Sequence, residues 1–146
     1  MSEAIRIEAS RWDHGPQRRA MISIREAVFV VEQGVPVELE LDGLDPACHH
    51  VLAFDPQGRP IGTARMQRCG HIGRIAVVLE WRKRGIGSGL LNALTEMARR
   101  EGLESVDLDA QVHAIGFYEK HGFKRRGGAF MDAGLEHFNM VARLGR

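Results

Sequence analysis

Apolar residues near the start of the chain follow one strand-like and one helix-like pattern. Ile5 and Ile7 alternate with polar neighbours, which indicates a first strand at the edge of a sheet. Residues 17–31 carry apolar side chains at helical spacing, and Gly34 follows near the C-cap position. The predicted buried stripe contains Ala20, Met21, Ile24, Ala27, Val28 and Val31, and the predicted solvated face contains Arg18, Arg19, Arg25 and Glu26.

Residues 35–42 allow two interpretations. Strict alternation favours a strand, whereas the acidic residues and the loop-rich surroundings favour a short helix or an extended lid. The acids Glu38, Glu40 and Asp42 would suit a cationic ligand, and a solvated loop would explain them as well.

Three strands of a small antiparallel meander are predicted next. They are predicted at residues 51–54, 60–68 and 75–78, and the last of them is an apolar, β-branched run. The turn Asp55-Pro56-Gln57-Gly58 has proline at its second position and glycine at its fourth, as expected between two paired strands.

A glycine-rich turn follows the third of these strands. Gly85, Gly87 and Gly89 stand at alternate positions, and from Ile86 onward the apolar residues have helical spacing. A strand that enters a helix through such a turn aims free backbone N–H groups and the positive end of the helix dipole at one point. This arrangement predicts an anion site, most simply for phosphate, although glycines alone also occur in plain tight turns. The cations Arg82, Lys83 and Arg84 either contact this anion or form a solvated cap.

The second half of the chain completes a mixed sheet. The helix ends near Gly102, and residues 105–110 alternate as a strand that returns parallel to residues 75–78 by a right-handed crossover. Residues 114–121 predict a short helix, and residues 123–129 and 138–144 predict two terminal strands. The pattern indicates an α+β fold in a single domain spanning residues 1–146.

Composition narrows the possible functions. With 20 basic and 19 acidic residues, the chain as a whole is not expected to bind nucleic acid. The apolar run at residues 27–31, which only residues 75–79 equal in length, is too short to cross a bilayer, and the N-terminal residues lack a signal-peptide core. We therefore expect a cytoplasmic protein without a membrane partner.

Cys48 and Cys69 are expected to be reduced and structural, with a regulatory disulfide as the alternative, and no metal is expected.

Two motifs carry a family resemblance. The run Arg82-Lys83-Arg84-Gly85-Ile86-Gly87 resembles the R/Q-x-x-G-x-G/A signature of the GCN5-related N-acetyltransferases. Residues 114–123, AIGFYEKHGF, resemble the A-x-x-F-Y-x-K-x-G-F motif of that family. Residues 28–33 and 133–137 further resemble its bacterial ElaA-like and YjcF-like group. The resemblance implies a mostly antiparallel twisted sheet of about six to seven strands with helices on both faces.

The resemblance also implies acetyl-CoA as the acetyl donor. Backbone N–H groups of residues 83–88 would hold its pyrophosphate, and the pantetheine arm would pair like a strand with residues 75–77, where the two parallel strands would separate. Gln111 or His113 would stand in for an asparagine that many relatives place against this arm. The implied cofactor-binding residues are Ile75, Ala76, Val77, Arg82, Lys83, Arg84, Gly85, Ile86, Gly87, Ser88, His113 and Phe117.

Tyr118 carries the general-acid role that the resemblance implies. Its phenol has a reference pKa of about 10, close to that of an alkyl thiol leaving group. Glu32, Asp109, His113, His137 or a water relay could remove the amine proton. The implied reaction acetylates a primary amine of a small molecule or a peptide, and a homodimer would agree with the family.

Two other functions compete with this one. A dinucleotide-binding module would also place glycines at a strand-to-helix turn, but Leu90 stands where its third glycine should be. A CoA-binding sensor or interaction protein without catalytic activity would keep the fold. The presence of Tyr118, the implied general acid, argues against a sensor without catalytic activity.

Overall fold

A computed structural model describes residues 4–145, so the first three residues of the N-terminal segment discussed above lie outside it. Seven strands and four α-helices form within that range. The strands are β1 (Arg6–Ser10), β2 (His49–Phe54), β3 (Pro60–Met66), β4 (His71–Val77), β5 (Ser105–Gln111), β6 (Lys124–Asp132) and β7 (Leu135–Arg143). The helices are α1 (Gly15–Arg25), α2 (Val37–Glu40), α3 (Ile86–Arg100) and α4 (Ile115–Glu119), with a π-helical segment (Glu26–Glu32) directly after α1.

The strands form one mixed sheet in the order β1-β2-β3-β4-β5-β7-β6. All neighbouring pairs are antiparallel except β4 and β5, which are parallel and joined by α3. The predicted meander, the crossover and the mixed direction are therefore confirmed.

Two apolar clusters cover the two faces of the sheet. Because side chains alternate along a strand, Val51 and Ala53 of β2 pack with Leu90 of α3, whereas Leu52 packs with Met21 of α1. The prediction of helices on both faces is confirmed. Within residues 4–145, no helix is long and apolar enough to cross a bilayer, and both cysteine thiols are free.

The first helix changes its hydrogen bonding halfway along. It begins at Gly15, where the His14 side chain accepts a hydrogen bond from the Gln17 N–H at 3.3 Å. From Glu26 it continues as a π-helix, ending in an i→i+5 bond from the Gln33 N–H to the Val28 carbonyl at 3.2 Å. The wider turn shifts the buried stripe. Val31, predicted to be buried, is therefore 78% exposed, and Ala27 is also exposed.

The expectation that Arg25 lies in solvent is wrong. Arg25 follows Met21 by four residues, so it lies on the buried face of α1 and is only 1% exposed. Its guanidinium lies 2.8 Å from a Glu40 carboxylate oxygen and 2.7 Å from one of Asp45. Burial of this charge is possible because both carboxylates are buried with it.

Within residues 35–42, Val37–Glu40 form the short helix α2 and no strand forms, and Glu40 and Asp42 are paired with arginines. Arg65 Nη1 donates to Asp42 at 2.9 Å and to Asp45 at 3.0 Å, and Arg74 Nε donates to Glu40 at 2.7 Å. Glu40 and Asp42 are therefore neither simply solvated nor free to recognise a cation. We call Arg25, Arg65, Arg74, Glu40, Asp42 and Asp45 the arginine–acid network.

His50 borders this network and makes the stability depend on pH. Its ring stacks on Trp12 with centroids 5.2 Å apart, and its Nε2 lies 2.9 Å from the Asp45 carbonyl oxygen. Burial lowers the pKa of His50 below its usual 6.5, and the nearby Arg25 and Arg65 charges act in the same direction, against Asp45. The unfolded chain therefore binds a proton more readily than the folded one, and stability is lost as the pH falls below 6.5 through the folded pKa.

We accordingly expect the free energy of unfolding to be lower at pH 5 than at pH 7.5, measured by urea denaturation at fixed ionic strength. His50→Gln can keep a donor for the Asp45 carbonyl but does not titrate, so its dependence on pH between 5 and 7.5 should be flatter. Equal slopes for the two proteins would show that another group is responsible. Asp45 adds to the pH dependence of stability at more acidic pH. Burial opposes ionisation of its carboxyl, but the hydrogen bonds from Arg25 and Arg65 prevail and lower its pKa.

Candidate active site

The cleft of the molecule opens where the two parallel strands separate. β4 and β5 pair only at His71↔Asp107 and Ile72↔Leu108. Within residues 4–145, Gly73 to Val77 pair with no strand on the edge of β4 that faces β5, whereas their other edge pairs with β3. A cavity of about 440 Å³ occupies this gap. The predicted separation of the strands is confirmed.

A β-bulge helps to turn β4 away from its neighbour. Thr63 of β3 faces Ala76 and Arg65 faces Gly73, so two residues of β4, Arg74 and Ile75, oppose one residue of β3. Arg74 has a φ of 54°, which a side-chain-bearing residue adopts at a cost of about 1–2 kcal/mol. Its guanidinium compensates by donating to Glu40 and to the carbonyl oxygen of Leu39 at 3.2 Å.

The glycine turn presents free backbone donors. Gly85 precedes α3 in the left-handed conformation, with a φ of 80°, and no side chain caps the helix. The first bond of the helix runs from the Gly89 N–H to the Gly85 carbonyl at 3.1 Å, so the amides of Ile86, Gly87 and Ser88 have no partner within it. These amides and the helix dipole suit the pyrophosphate of a CoA thioester.

The three cations beside this turn differ in their contacts. Arg82 Nη2 donates to Glu32 at 2.6 Å, and Arg82 Nε donates to the Val77 carbonyl at 2.8 Å. Arg84 lies over the Trp81 ring, 4.6 Å from its centroid. Lys83 is exposed, and its φ of 62° is one of the positive values in the turn. Of the three, Lys83 and Arg84 can reach an anion without breaking an ion pair, whereas Arg82 must release Glu32.

The two motifs meet beside the cavity. A Cβ atom added to Gly87 would lie 3.6 Å from Phe117 Cζ, which places the second motif against the first. Ile75 and His113 line the cavity. Ala76 and Ile86 point their side chains into the two apolar clusters, so only their backbones are available to a cofactor.

Tyr118 lies on α4 and lines the same cavity. Its ring makes edge contacts with Phe117 and Phe123, with centroids 5.1 and 5.9 Å away. Burial raises the pKa of its phenol from 10.0 to about 12, and the hydroxyl makes no hydrogen bond to any protein group between residues 4 and 145. The hydroxyl is therefore a protonated donor without a protein acceptor.

Only some of the candidate bases line the cavity. Asp109, His113 and His137 line the cavity, whereas Glu32 does not and is ion-paired with Arg82. His71 was not among the candidate bases predicted from the sequence, because the strand was predicted to begin only at residue 75. His71 also lines the cavity, with Nδ1 2.9 Å from Asp107 and Nε2 3.6 Å from Asp109.

Comparison with known proteins agrees with this arrangement. Residues 25–144 match the family model described as an acetyltransferase (GNAT) domain. The N-acetyltransferase YjcF of Bacillus subtilis (strain 168) is 36% identical over 122 residues, covering 81% of this chain and 86% of that protein. The structure of an acyl-CoA N-acyltransferase from Pseudomonas aeruginosa aligns with a TM-score of 0.85 and 27% identity over 95% of this chain and 99% of that chain.

Escherichia coli ElaA aligns with a TM-score of 0.84 and 26% identity, again over 95% of this chain and 99% of that chain. The resemblance inferred from the two motifs is therefore confirmed. Because the family model and the YjcF match each cover most of the chain, the protein belongs to the GCN5-related N-acetyltransferase family and is an acyltransferase.

Proposed function

We propose that the protein transfers an acetyl group from acetyl-CoA to a primary amine, with Tyr118 as the general acid. One observation carries the proposal. Tyr118, whose hydroxyl is protonated and has no protein acceptor among the described residues, lines a cavity at the point where β4 leaves backbone groups unpaired.

The cofactor would be held mainly by backbone. The unpaired edge of residues 75–77 suits the amide-containing pantetheine arm, and the amides of Ile86, Gly87 and Ser88 suit the pyrophosphate. Lys83 and Arg84 add positive charge beside those amides. Acetyl-CoA supplies an acetyl group activated as a thioester.

The reaction requires two proton movements. The amine nitrogen forms a bond to the acetyl carbon, and the carbon–sulfur bond breaks. Tyr118 donates its proton to the departing sulfur, so that CoA leaves as a thiol. The amine loses a proton to a base, and Tyr118 recovers one from solvent after CoA has left.

The charges that line the cavity support an amine acceptor. Glu40 and Asp42 are paired with Arg74. Asp109 and Asp132 also line the cavity, and neither has an arginine or lysine partner among the described residues. Uncompensated carboxylates attract an ammonium group in a partly enclosed site more strongly than in water.

Thiol release tests the proposal. Purified protein is incubated with acetyl-CoA and, in turn, a polyamine, an arylalkylamine, an aminoglycoside and a lysine peptide, and free CoA is measured with a thiol reagent. We expect turnover with at least one amine and identify the product by mass spectrometry. Calorimetric titrations with CoA and with NAD compare the affinities of the protein for the two cofactors.

Three outcomes can be told apart. CoA binding together with amine acetylation supports the proposal. CoA binding without turnover of any amine would instead favour a sensor or interaction protein. Binding of NAD in preference to CoA would overturn the cofactor assignment.

A further inference from the structure

We propose that His137 is the base that receives the amine proton, through its Nε2 atom. This inference rests on the proposed function and adds a second catalytic residue to it. His137 lies on β7 and lines the same cavity as Tyr118 and Ile75.

The strand register places His137 beside the gap in the sheet. β5 and β7 pair Gln111 with His137, and β4 and β5 pair His71 with Asp107 before they separate. Continued in register, that parallel pairing would bring Ile75 opposite Gln111. His137 therefore lies in the row of residues that crosses the gap at Ile75, within the part of β4 that is not paired with β5.

The position of the His137 proton is fixed by the backbone. Nδ1 lies 2.8 Å from the carbonyl oxygen of Leu135. A carbonyl oxygen can only accept a hydrogen bond, so Nδ1 carries the proton and Nε2 keeps its lone pair. His137 is 7% exposed as a residue, and its ring stacks on Phe130, with centroids 5.8 Å apart and planes at 25°. These contacts hold the imidazole in one orientation.

The other candidates are less suitable. Glu32 is ion-paired with Arg82 outside the cavity. Both nitrogens of His71 are directed at carboxylates, and Asp109 accepts a hydrogen bond from Asn139 at 3.0 Å. His113 lines the cavity but is exposed, and no contact among the described residues fixes its ring.

The proton balance is simple. An ammonium acceptor transfers one proton to Nε2, which leaves a nucleophilic amine and an imidazolium, and the imidazolium returns that proton to solvent. The second proton, which the nitrogen loses as the amide forms, passes to water and balances the proton that Tyr118 takes back from solvent. The other ionisable groups that line the cavity are Asp109 on β5, His113, Tyr118 on α4, Asp132 on β6, His71 and Arg74 on β4, and Glu40 and Asp42 at and beyond the end of α2.

His137→Asn separates the catalytic role from a structural one. The asparagine side-chain amide can still donate to the Leu135 carbonyl, but the Nε2 base is lost. With the panel amine that gives the fastest wild-type turnover, we expect kcat/KM at pH 7 to fall about 100-fold or more. The difference should narrow as the pH approaches the acceptor's own pKa, about 10 for an alkylamine, since free amine then needs no base.

The matched control is His14→Asn. His14 is an exposed N-cap residue outside the cavity, and asparagine is also a good N-cap, so activity should not change. Urea denaturation and CoA titration of His137→Asn should resemble those of the wild type. If His137→Asn retains wild-type kcat/KM, or if its deficit is the same at pH 7 and pH 10, His137 is not the base.

An acceptor-independent measurement keeps this inference separate from the proposed function. Nitrogen-15 NMR of the imidazole, assigned by comparison with His137→Asn, should show a protonated Nδ1 and an unprotonated Nε2 in the neutral ring. A neutral ring with its proton on Nε2 would overturn the inference. If no amine is turned over by the wild-type protein, the proposed function fails, and the base role fails with it even when the tautomer is as expected.

Discussion

Substituting Arg25 by alanine is expected to lower the free energy of unfolding by about 3–5 kcal/mol. The guanidinium is buried between Glu40 and Asp45, and its removal leaves buried carboxylates with too few cations. Desolvated charges without a partner are among the most destabilising groups in a protein interior. Urea denaturation monitored by circular dichroism at pH 7.5 measures the loss.

Arg19→Ala is the matched control, because Arg19 lies on the exposed face of the same helix. Its effect should stay within about 0.5 kcal/mol. Arg25→Lys keeps the charge but cannot bridge two carboxylates in the same way, so it should lie between the two alanine variants and serves if Arg25→Ala does not fold. Equal losses for Arg25→Ala and Arg19→Ala would mean that the network adds nothing to stability.

Replacing Tyr118 by phenylalanine is expected to lower kcat about ten- to a thousand-fold while CoA affinity changes little. The variant removes one hydroxyl and leaves the ring contacts with Phe117 and Phe123 in place. Since the hydroxyl bonds to no described protein group, its removal breaks no internal hydrogen bond. Steady-state thiol release and calorimetric CoA titration measure the two quantities.

A second measurement shows whether the variant acts through the phenol alone. With the folded pKa raised from 10.0 to about 12, the unfolded chain loses the Tyr118 proton first, so the wild-type protein loses stability as the pH rises from 10 towards 12, by about 1.4 kcal/mol per pH unit. Tyr118→Phe should lack the part of this loss that comes from the phenol, and its free energy of unfolding near pH 7.5 should match that of the wild type. Wild-type turnover in the variant would remove Tyr118 from the mechanism.

Local patterns were sufficient for most of the fold. Strand-like runs between turn signals predicted β2, β3 and part of β4, and alternation predicted β1 and β5. A turn with a proline and a glycine was predicted between β2 and β3. The proposed anion site was also predicted from local features alone: a strand, the alternating glycines and a helix, which begins at Ile86. Two motifs then indicated a family, and with it a sheet that opens between β4 and β5.

The buried charges could not be predicted in this way. Arg25 stood on the apolar stripe of its helix, but a charged side chain is assigned to solvent unless its partners are known. Those partners, Glu40 and Asp45, lie 15 and 20 residues further along the chain. The same holds for Arg82 and Glu32, which are 50 residues apart. Pairing over such separations depends on the tertiary fold.

The sequence did not predict details of the backbone hydrogen bonding either. The change from α- to π-helix at Glu26 rotates Val31 into solvent, and no propensity marks that shift. The carbonyl of Leu135 sets the His137 tautomer. His137 was one of several candidate bases in the sequence, but only the register of β5 and β7 places it beside the unpaired edge of β4.

The bulge at Arg74 has a consequence for how acceptor preference can diverge. Its guanidinium joins the segment containing α2 to the strand that would bind the cofactor, and Arg25 and Arg65 tie the same segment to α1 and β3. If a relative exchanged this segment alone, Arg25, Arg65 and Arg74 would lose their acidic partners. New substrate ranges in this lineage should therefore arise through coordinated replacements on several elements, and transplanting the loop by itself is a poor route to redesign.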